Sequence, residues 1–181
     1  SPIKDNRKDF FETGITFQNS ISLSGGDDSS SYFFSAQNVE RTGITPKDKY
    51  KRNNFRFNAS KNYGKLETST SVSFFQDKTN IVGATPQDGS FYRLLLNSPG
   101  HIPISDYKNW ETDKFSTPDT YYNAYFKNPY QVIDENRDTS RSNRLQGIAN
   151  FKYEFTDWLS ATYTIGGTWF NSEFKNTQAA Y

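Results

Sequence analysis

The chain is dominated by an alternation of apolar and polar residues with a period of two, which is the pattern of a β-strand with one apolar face. In the clearest segment, Phe55, Phe57 and Ala59 alternate with Arg56 and Asn58. The alternation occurs in six segments: Ile15–Leu23, Tyr32–Gln37, Asn54–Tyr63, Leu66–Phe74, Leu145–Phe155 and Leu159–Trp169. The pattern predicts six strands of about 9–11 residues, the length that a tilted strand needs to cross a bilayer.

The connections between these segments alternate between short and long. Turn residues near Gly25, Gly64 and Asp157 predict tight turns, whereas Glu40–Tyr50 and Gln76–Asn143 are longer, and the last contains five prolines. Outer-membrane barrels have short periplasmic turns and long extracellular loops. We therefore expect an antiparallel transmembrane β-barrel in which residues 77–143 form a long extracellular loop.

The charged residues within the predicted strands agree with a barrel wall. A Lys or Arg facing lipid at the midplane costs about 2–4 kcal/mol, and Arg56, Glu67, Lys152 and Glu154 all fall on the polar face, which we expect to line the lumen. Lys61 is the exception, and it lies beside the Gly64 turn, where its stem can reach the interface. The residues expected to face lipid are Phe55, Phe57, Val72, Phe74, Phe151, Leu159, Tyr163, Ile165 and Trp169.

The amino-acid composition argues against several other classes of protein. The mean hydropathy of −0.87 is low, but an aromatic content of 17% argues against disorder. A net charge of +1 gives no basis for nucleic-acid binding. With no Cys, one His and no nucleophile or phosphate-loop motif, we expect no enzyme activity, no cofactor and no metal site.

The chain contains no Met and begins at Ser1-Pro2, so we interpret it as an internal piece of a longer protein. The strand number leads to the same expectation, because the smallest closed membrane barrels have about 8 strands.

Several short segments stand out beside the alternation. They are Ser22-Leu23-Ser24-Gly25-Gly26, Gly43-Ile44, Tyr50-Lys51-Arg52-Asn53-Asn54-Phe55-Arg56-Phe57-Asn58, Asn128-Pro129-Tyr130 through Asn136-Arg137, Asn143-Arg144, Gly147, Tyr153 and Asp157-Trp158-Leu159. Together they resemble the barrel region of SusC/RagA-type TonB-dependent outer-membrane transporters, and the resemblance covers most of residues 9–168. Gln131 departs from the pattern at a position where an aromatic residue is expected.

The resemblance implies a barrel of about 22 strands with a plugged lumen, of which this chain supplies about six. It also implies active import of an oligosaccharide or peptide across the bacterial outer membrane. The implied partners are TonB, acting through a part of the protein outside this chain, a SusD-like surface lipoprotein that closes as a lid, and outer-membrane lipid. A carbohydrate-binding β-sandwich, soluble or on the cell surface, and a barrel with a structural role in a secretion or surface assembly are the alternatives.

The long loop is rich in aromatic residues that are candidates for contact with substrate or with the lid. Aromatic rings in a concave site with a few polar groups are common in binding sites. They can equally pack the loop against itself. The candidates are Trp110, Tyr121, Tyr122, Tyr125 and Tyr130.

Overall fold

A computed structural model describes residues 5–84, 90–114, 121–122 and 126–178. The strands are β1 (Thr16–Asp27), β2 (Ser30–Thr42), β3 (Lys49–Tyr63), β4 (Leu66–Val82), β5 (Arg137–Thr156) and β6 (Leu159–Thr177). The helices are α1 (Asn6–Phe10), α2 (Phe91–Asn97), a 3₁₀ helix (Ile104–Tyr107) and α3 (Pro129–Glu135). The expected all-β class is confirmed.

The six strands form one antiparallel sheet in the order β1-β2-β3-β4-β5-β6, so every strand pairs with its neighbours in sequence. The register is continuous except for a β-bulge in β5 between Glu154 and Thr156. The sheet is not closed, and β1 and β6 are its two edges.

The strands are longer than the alternation predicted. They contain 12 to 20 residues, because pairing continues beyond the apolar positions into polar segments where periodicity gives no signal. The long connection is therefore shorter than the 77–143 expected, since β4 continues to Val82 and β5 begins at Arg137. The connection between β2 and β3 likewise shrinks to residues 43–48.

The short connections are all two-residue turns at one end of the sheet. The first turn, at Asp28 and Ser29, lies farther along the chain than the turn predicted near Gly25. The Asp27 carboxylate stabilises it by accepting bonds from the Ser29 amide and from the hydroxyls of Ser29 and Ser30. The second turn begins at Gly64, which has a φ of 72°, a conformation that glycine adopts at little cost.

The opposite end of the sheet carries a second structural unit made from short helices. We call it the loop cluster; its buried residues are Phe10, Leu95, Ile104, Tyr121, Tyr130 and Ile133. The amide of Asn6 joins α1 to the long connection, because it donates to the Pro99 carbonyl and accepts from the Ile104 amide. None of the described helices has both the length and the apolar character needed to span a membrane.

Candidate functional site

One face of the sheet carries a broad apolar band in its middle, and we call this side of the sheet the apolar face. Directly opposed residues on neighbouring strands share a face, so the register sorts the side chains into rows across the sheet. The central rows are Ile21–Ala36–Phe55–Phe74–Leu145–Trp169, Leu23–Phe34–Phe57–Val72–Gly147–Gly167 and Gly25–Tyr32–Ala59–Thr70–Ala149–Ile165. These three rows contain no charged residue.

The register brings the nine predicted lipid-facing residues together on this face. Many of its large side chains are open to the surroundings, with Phe57 42% and Tyr163 65% exposed. The band runs from Leu159 to Trp169 along β6. Those residues rise about 33 Å along a strand, or about 25 Å at the tilt of membrane barrels, which equals the apolar height of such barrels.

The threonines on the apolar face have their hydroxyl groups satisfied by the backbone. Thr70 Oγ1 donates to the Ile148 carbonyl at 3.2 Å, and Thr68 Oγ1 donates to the Lys61 carbonyl at 3.1 Å. A hydroxyl that bonds to the backbone in this way can face an apolar medium without the cost of an unmade hydrogen bond.

On β2 to β6 the apolar band ends sharply at the end nearest the loop cluster, whereas on β1 it continues to Phe17. Two residues beyond the row of Phe55 lies an amide row, Asn19–Asn38–Asn53–Gln76–Asn143–Asn171. Its central members form a directional chain, in which Asn38 donates to Asn53 at 2.9 Å, Asn53 to Gln76 at 3.4 Å and Gln76 to Asn143 at 2.8 Å.

Beyond the amide row, the same face becomes charged. The next row is Phe17–Glu40–Lys51–Lys78–Arg141–Glu173, in which only the β1 member is apolar, and the row after it adds Lys49 and Lys175. We call the exposed residues Lys49, Lys51, Lys78, Arg141 and Lys175 the basic belt. The apolar face thus passes from hydrocarbon side chains to amides to cations within four residues.

The other side of the sheet, the polar face, carries the four residues predicted to line the lumen. Arg56, Glu67, Lys152 and Glu154 share this face in the register. Lys152 Nζ lies 2.7 Å from Glu154 Oε1 and 3.6 Å from Glu67 Oε2, so the three form one ion-pair group near the short turns. Hydroxyls and amides fill much of the remaining surface of this face.

The polar face also forms open recesses among those hydroxyls and amides. One of about 610 Å³ lies near the short turns and is lined in part by Ser60, Ser69, Asn150 and Lys152. Asn150 donates to Ser69 at 3.2 Å and accepts from Thr164 at 2.8 Å, so a neutral hydrogen-bonding strip crosses β4, β5 and β6. Such a strip can hydrogen-bond neutral polar ligands or another polar protein surface.

Lys61 is the charged residue that the sequence placed on the apolar face, and the register keeps it there, opposite Thr68. Its ammonium group donates to the Ser29 Oγ at 3.1 Å and lies 6.0 Å from the centre of the Tyr63 ring. The charge is therefore held beside the short turns, at the edge of the band.

The aromatic residues proposed as ligand contacts lie within or against the loop cluster. Tyr121 and Tyr130 are buried, and Tyr107, Tyr121 and Tyr122 form edge-to-face contacts, with 4.6 Å between the centroids of Tyr121 and Tyr122. Trp110 Nε1 donates to Asp134 Oδ2 at 2.9 Å. Packing thus occupies Tyr121 and Tyr130, while Trp110 and Tyr122 are half-buried. Tyr125 lies outside the described residues.

Burial in the loop cluster changes the acidity of its tyrosines. Removal from water raises the pKa of Tyr130 to about 12, and the nearby carboxylates of Glu12 and Asp9 add to the increase. Burial also raises the pKa of Tyr121, against an opposing hydrogen bond from Ser98.

The loop cluster is attached to the sheet through Arg137, the first residue of β5. Its guanidinium Nη1 lies 3.0 Å from Asp48 Oδ1, Nε donates to the Asn80 side chain, and Nη2 donates to the Lys47 carbonyl. Both charged side chains are largely buried, and burial raises the pKa of Asp48 even though Arg137 acts in the opposite direction.

Sequence reasoning did not identify the amide row, the basic belt or the Arg137 junction. On β2 to β6, each amide lies two residues beyond the last position of the apolar band, for example Asn53 before Phe55 and Gln76 after Phe74. This recurrence is visible once the strands are aligned, but it does not stand out along the chain. In the described part of the chain, no group of three or more His, Cys, Asp or Glu side chains is placed to hold a metal ion.

Comparison of the sequence with models of known protein families and with curated proteins finds no match.

Proposed function

We propose that the chain forms part of the wall of a bacterial outer-membrane β-barrel that imports a nutrient in a TonB-dependent manner, as its resemblance to SusC/RagA-type transporters implies. In this proposal the apolar face contacts lipid and the polar face lines the lumen or contacts a plug. The protein acts by binding and conformational change, without covalent chemistry.

The observation that carries the proposal is the bounded apolar band. In a water-soluble sheet an exposed apolar surface of this size is a liability. A bilayer supplies both the hydrocarbon that covers such a band and the polar interfaces beyond its ends. On β2 to β6, the amide row beyond Phe55 and Phe74 begins the polar segment at the loop end.

The open edges of the sheet support a larger barrel. β6 has 19 residues that are all exposed, and several of its side chains are large and apolar. Unpaired backbone groups are not tolerated in hydrocarbon, so in a membrane β1 and β6 must pair with further strands. We propose that those strands complete a barrel of about 22 strands, a size that leaves a plugged lumen.

The loop cluster supports an extracellular role for the end of the sheet at which it lies. Apart from α1, its described helices come from the long connection between β4 and β5, and outer-membrane barrels place their long connections outside the cell. We propose that Trp110 and Tyr122, with Tyr125, contact the lid lipoprotein or an oligosaccharide or peptide substrate at this end.

Cysteine labelling in the intact protein tests the proposal, because the chain has no native cysteine to interfere. Phe57→Cys and Leu159→Cys should be shielded from a water-soluble maleimide in membranes and in detergent, whereas Asn58→Cys should react. Equal reaction at positions 57 and 58 would contradict the proposal. A protein that stays dissolved without detergent, with position 57 still shielded, would favour the β-sandwich instead.

A further inference from the structure

Two cations of the basic belt face each other across neighbouring strands. Lys78 on β4 lies directly opposite Arg141 on β5, and Lys51 lies on the other side of Lys78. Like charges directly opposite in an antiparallel pair are destabilising. Lys51 pairs with Glu40 at 2.8 Å, and Glu173 on β6 lies opposite Arg141, but among the described residues neither Lys78 nor Arg141 has a carboxylate at ion-pair distance. The pair is suited to an anion from outside the chain.

The amides continue this site toward the membrane. Gln76 and Asn143 are the next opposed pair on the same face, and their side chains are joined by a 2.8 Å hydrogen bond. Each amide keeps further hydrogen-bonding capacity, since it offers two N–H donors and a carbonyl acceptor. Polar linkages of a lipid lie at this depth, between the headgroup and the acyl chains.

An apolar recess follows in the same column of the sheet. It has a volume of about 480 Å³ and is lined by Val72, Leu145, Gly147, Gly167 and Trp169, together with Gln146 and Thr168. The two glycines form its open floor, because a Cβ at Gly147 or Gly167 would meet no atom within 4 Å. An extended hydrocarbon chain fits such a strip between larger apolar side chains.

We propose that β4, β5 and β6 bind one phosphorylated glycolipid of the outer leaflet, of the lipid A class, with its phosphate at Lys78 and Arg141 and an acyl chain over Gly147 and Gly167. The inference rests on the proposed function, because it requires the apolar face to contact the membrane. The linear order of cations, amides and apolar recess favours a lipid over free phosphate, which would need the cations alone.

The two ends of the band differ in the way that this proposal requires. At the short-turn end the apolar face carries Lys61, whose row neighbours Ser30 and Thr68 are uncharged. The basic belt therefore occurs at the loop end only, and that end faces the outer leaflet in the proposed orientation.

Lipid titrations of the intact protein in detergent, followed by native mass spectrometry, test this site. The probes are phosphorylated lipid A, the same lipid after phosphatase treatment, phosphatidylglycerol and inorganic phosphate. We expect the double variant Lys78→Gln/Arg141→Gln to bind phosphorylated lipid A at least about tenfold more weakly. Lys61→Gln, the control at the other end of the band, should bind as the parent does.

A further variant and a measurement of heat stability test the apolar recess and the phosphate site separately. Gly147→Val, which fills the recess without changing charge, should weaken binding of both forms of lipid A. Without lipid, the double variant should be at least as stable to heat as the parent, because the repulsion between Lys78 and Arg141 has been removed. With phosphorylated lipid A bound, the parent should be the more heat-stable of the two proteins.

Unchanged affinity of the double variant for phosphorylated lipid A would overturn the inference, as would equal affinity for phosphatidylglycerol or complete competition by inorganic phosphate. If the double variant does not fold, unchanged binding by Gly147→Val would overturn it as well. If these lipid titrations fail while cysteine labelling still places position 57 in lipid, the proposed function stands and only this inference is lost. If labelling places position 57 outside lipid, the proposed function and this inference are both lost.

Discussion

Apolar side chains are buried in the loop cluster but exposed on the apolar face of the sheet. Phe10 in the loop cluster is 1% exposed and has aromatic neighbours on several sides, with ring centroids 4.8 Å from Tyr130 and 5.8 Å from Phe91. Phe57 in the sheet is 42% exposed and projects from a face that nothing in the described chain covers. The same residue type is thus buried by the chain at one end and presented to the surroundings along the strands.

This difference indicates that the two regions are stabilised by different surroundings. The loop cluster has a core of the kind that folds in water, in which burial of apolar surface is the main favourable contribution. The sheet has backbone pairing along its full length but no core of its own. Its apolar side chains can be stable only in contact with lipid or with another apolar surface.

The largest expected effect is on the loop cluster. Phe10→Ala should destabilise it by about 3–5 kcal/mol, because the substitution leaves a cavity among rings that cannot collapse fully. Hydrogen exchange of α2 and α3 in the intact protein should accelerate accordingly, while the strands keep their protection. If α2 and α3 exchanged at the parental rate, the loop cluster would not be a packed unit.

Removal of Arg137 tests the attachment of the loop cluster to the sheet. Arg137→Met leaves the Asp48 carboxylate largely buried without its partner and should cost about 3–5 kcal/mol. The matched control is Lys51→Met, which removes an ion pair with Glu40 whose two side chains are both exposed, and it should cost about 0–1 kcal/mol. Equal hydrogen exchange of α3 in the two variants would argue against Arg137 as the junction.

An arginine substituted on either face of β3 tests which of the two faces contacts lipid. Phe57→Arg should destabilise the membrane-inserted protein by about 2–4 kcal/mol, because the new charge meets hydrocarbon. Asn58→Arg, one residue away on the polar face, should cost much less. Urea unfolding from lipid bilayers measures both values, and similar costs for the two would contradict the assignment of faces.

The sequence predicted those parts of the fold in which apolar and polar side chains alternate along a strand. The alternation identified the six strands and their faces, because apolar residues such as Phe55, Phe57 and Ala59 recur at every second position. It missed the outer ends of β4 and β5, where both faces are polar and a period of two has no contrast. The pairing of Arg137 with Asp48 links residues 89 positions apart, and no local pattern encodes it.

The helices of the loop cluster were also missed, although one of them carries a local signal. Asn128 caps α3 by accepting from the Tyr130 amide, and Pro129 occupies the first turn, a combination that favours a helix start. With only 7 residues, α3 is too short to show a helical period. Its burial depends on α1, which precedes it by more than a hundred residues.

A smaller effect is expected from alkaline titration of the loop cluster. The pKa of Tyr130 is raised above its ordinary value of 10.0 to about 12, so the stability that its protonated form contributes is present below pH 10 and is lost as the pH rises through 12. Tyr130→Phe should retain the loop cluster better over that interval. The difference in tyrosinate absorbance between the two proteins should show a midpoint near 12; a midpoint near 10 would contradict the burial of Tyr130.

The smallest effect is expected in the amide row. Asn53→Ala removes a donor and an acceptor from the hydrogen-bonded chain, and each such bond contributes about 0.5–1.5 kcal/mol. Asn54→Ala on the polar face is the control, since no side-chain hydrogen bond of Asn54 is seen within the described chain. Urea unfolding from bilayers should separate the two variants, and equal midpoints would show that the amide chain contributes nothing.

The central claim, that lipid covers the apolar face, is tested most directly by spin labels placed singly along β3 from position 54 to 59 in the intact protein in bilayers. We expect labels at 55, 57 and 59 to collide freely with oxygen and rarely with a water-soluble nickel complex, and labels at 54, 56 and 58 to show the reverse or to be shielded from both. Shielding of positions 55, 57 and 59 from oxygen and nickel alike would place them in a protein core and contradict the account.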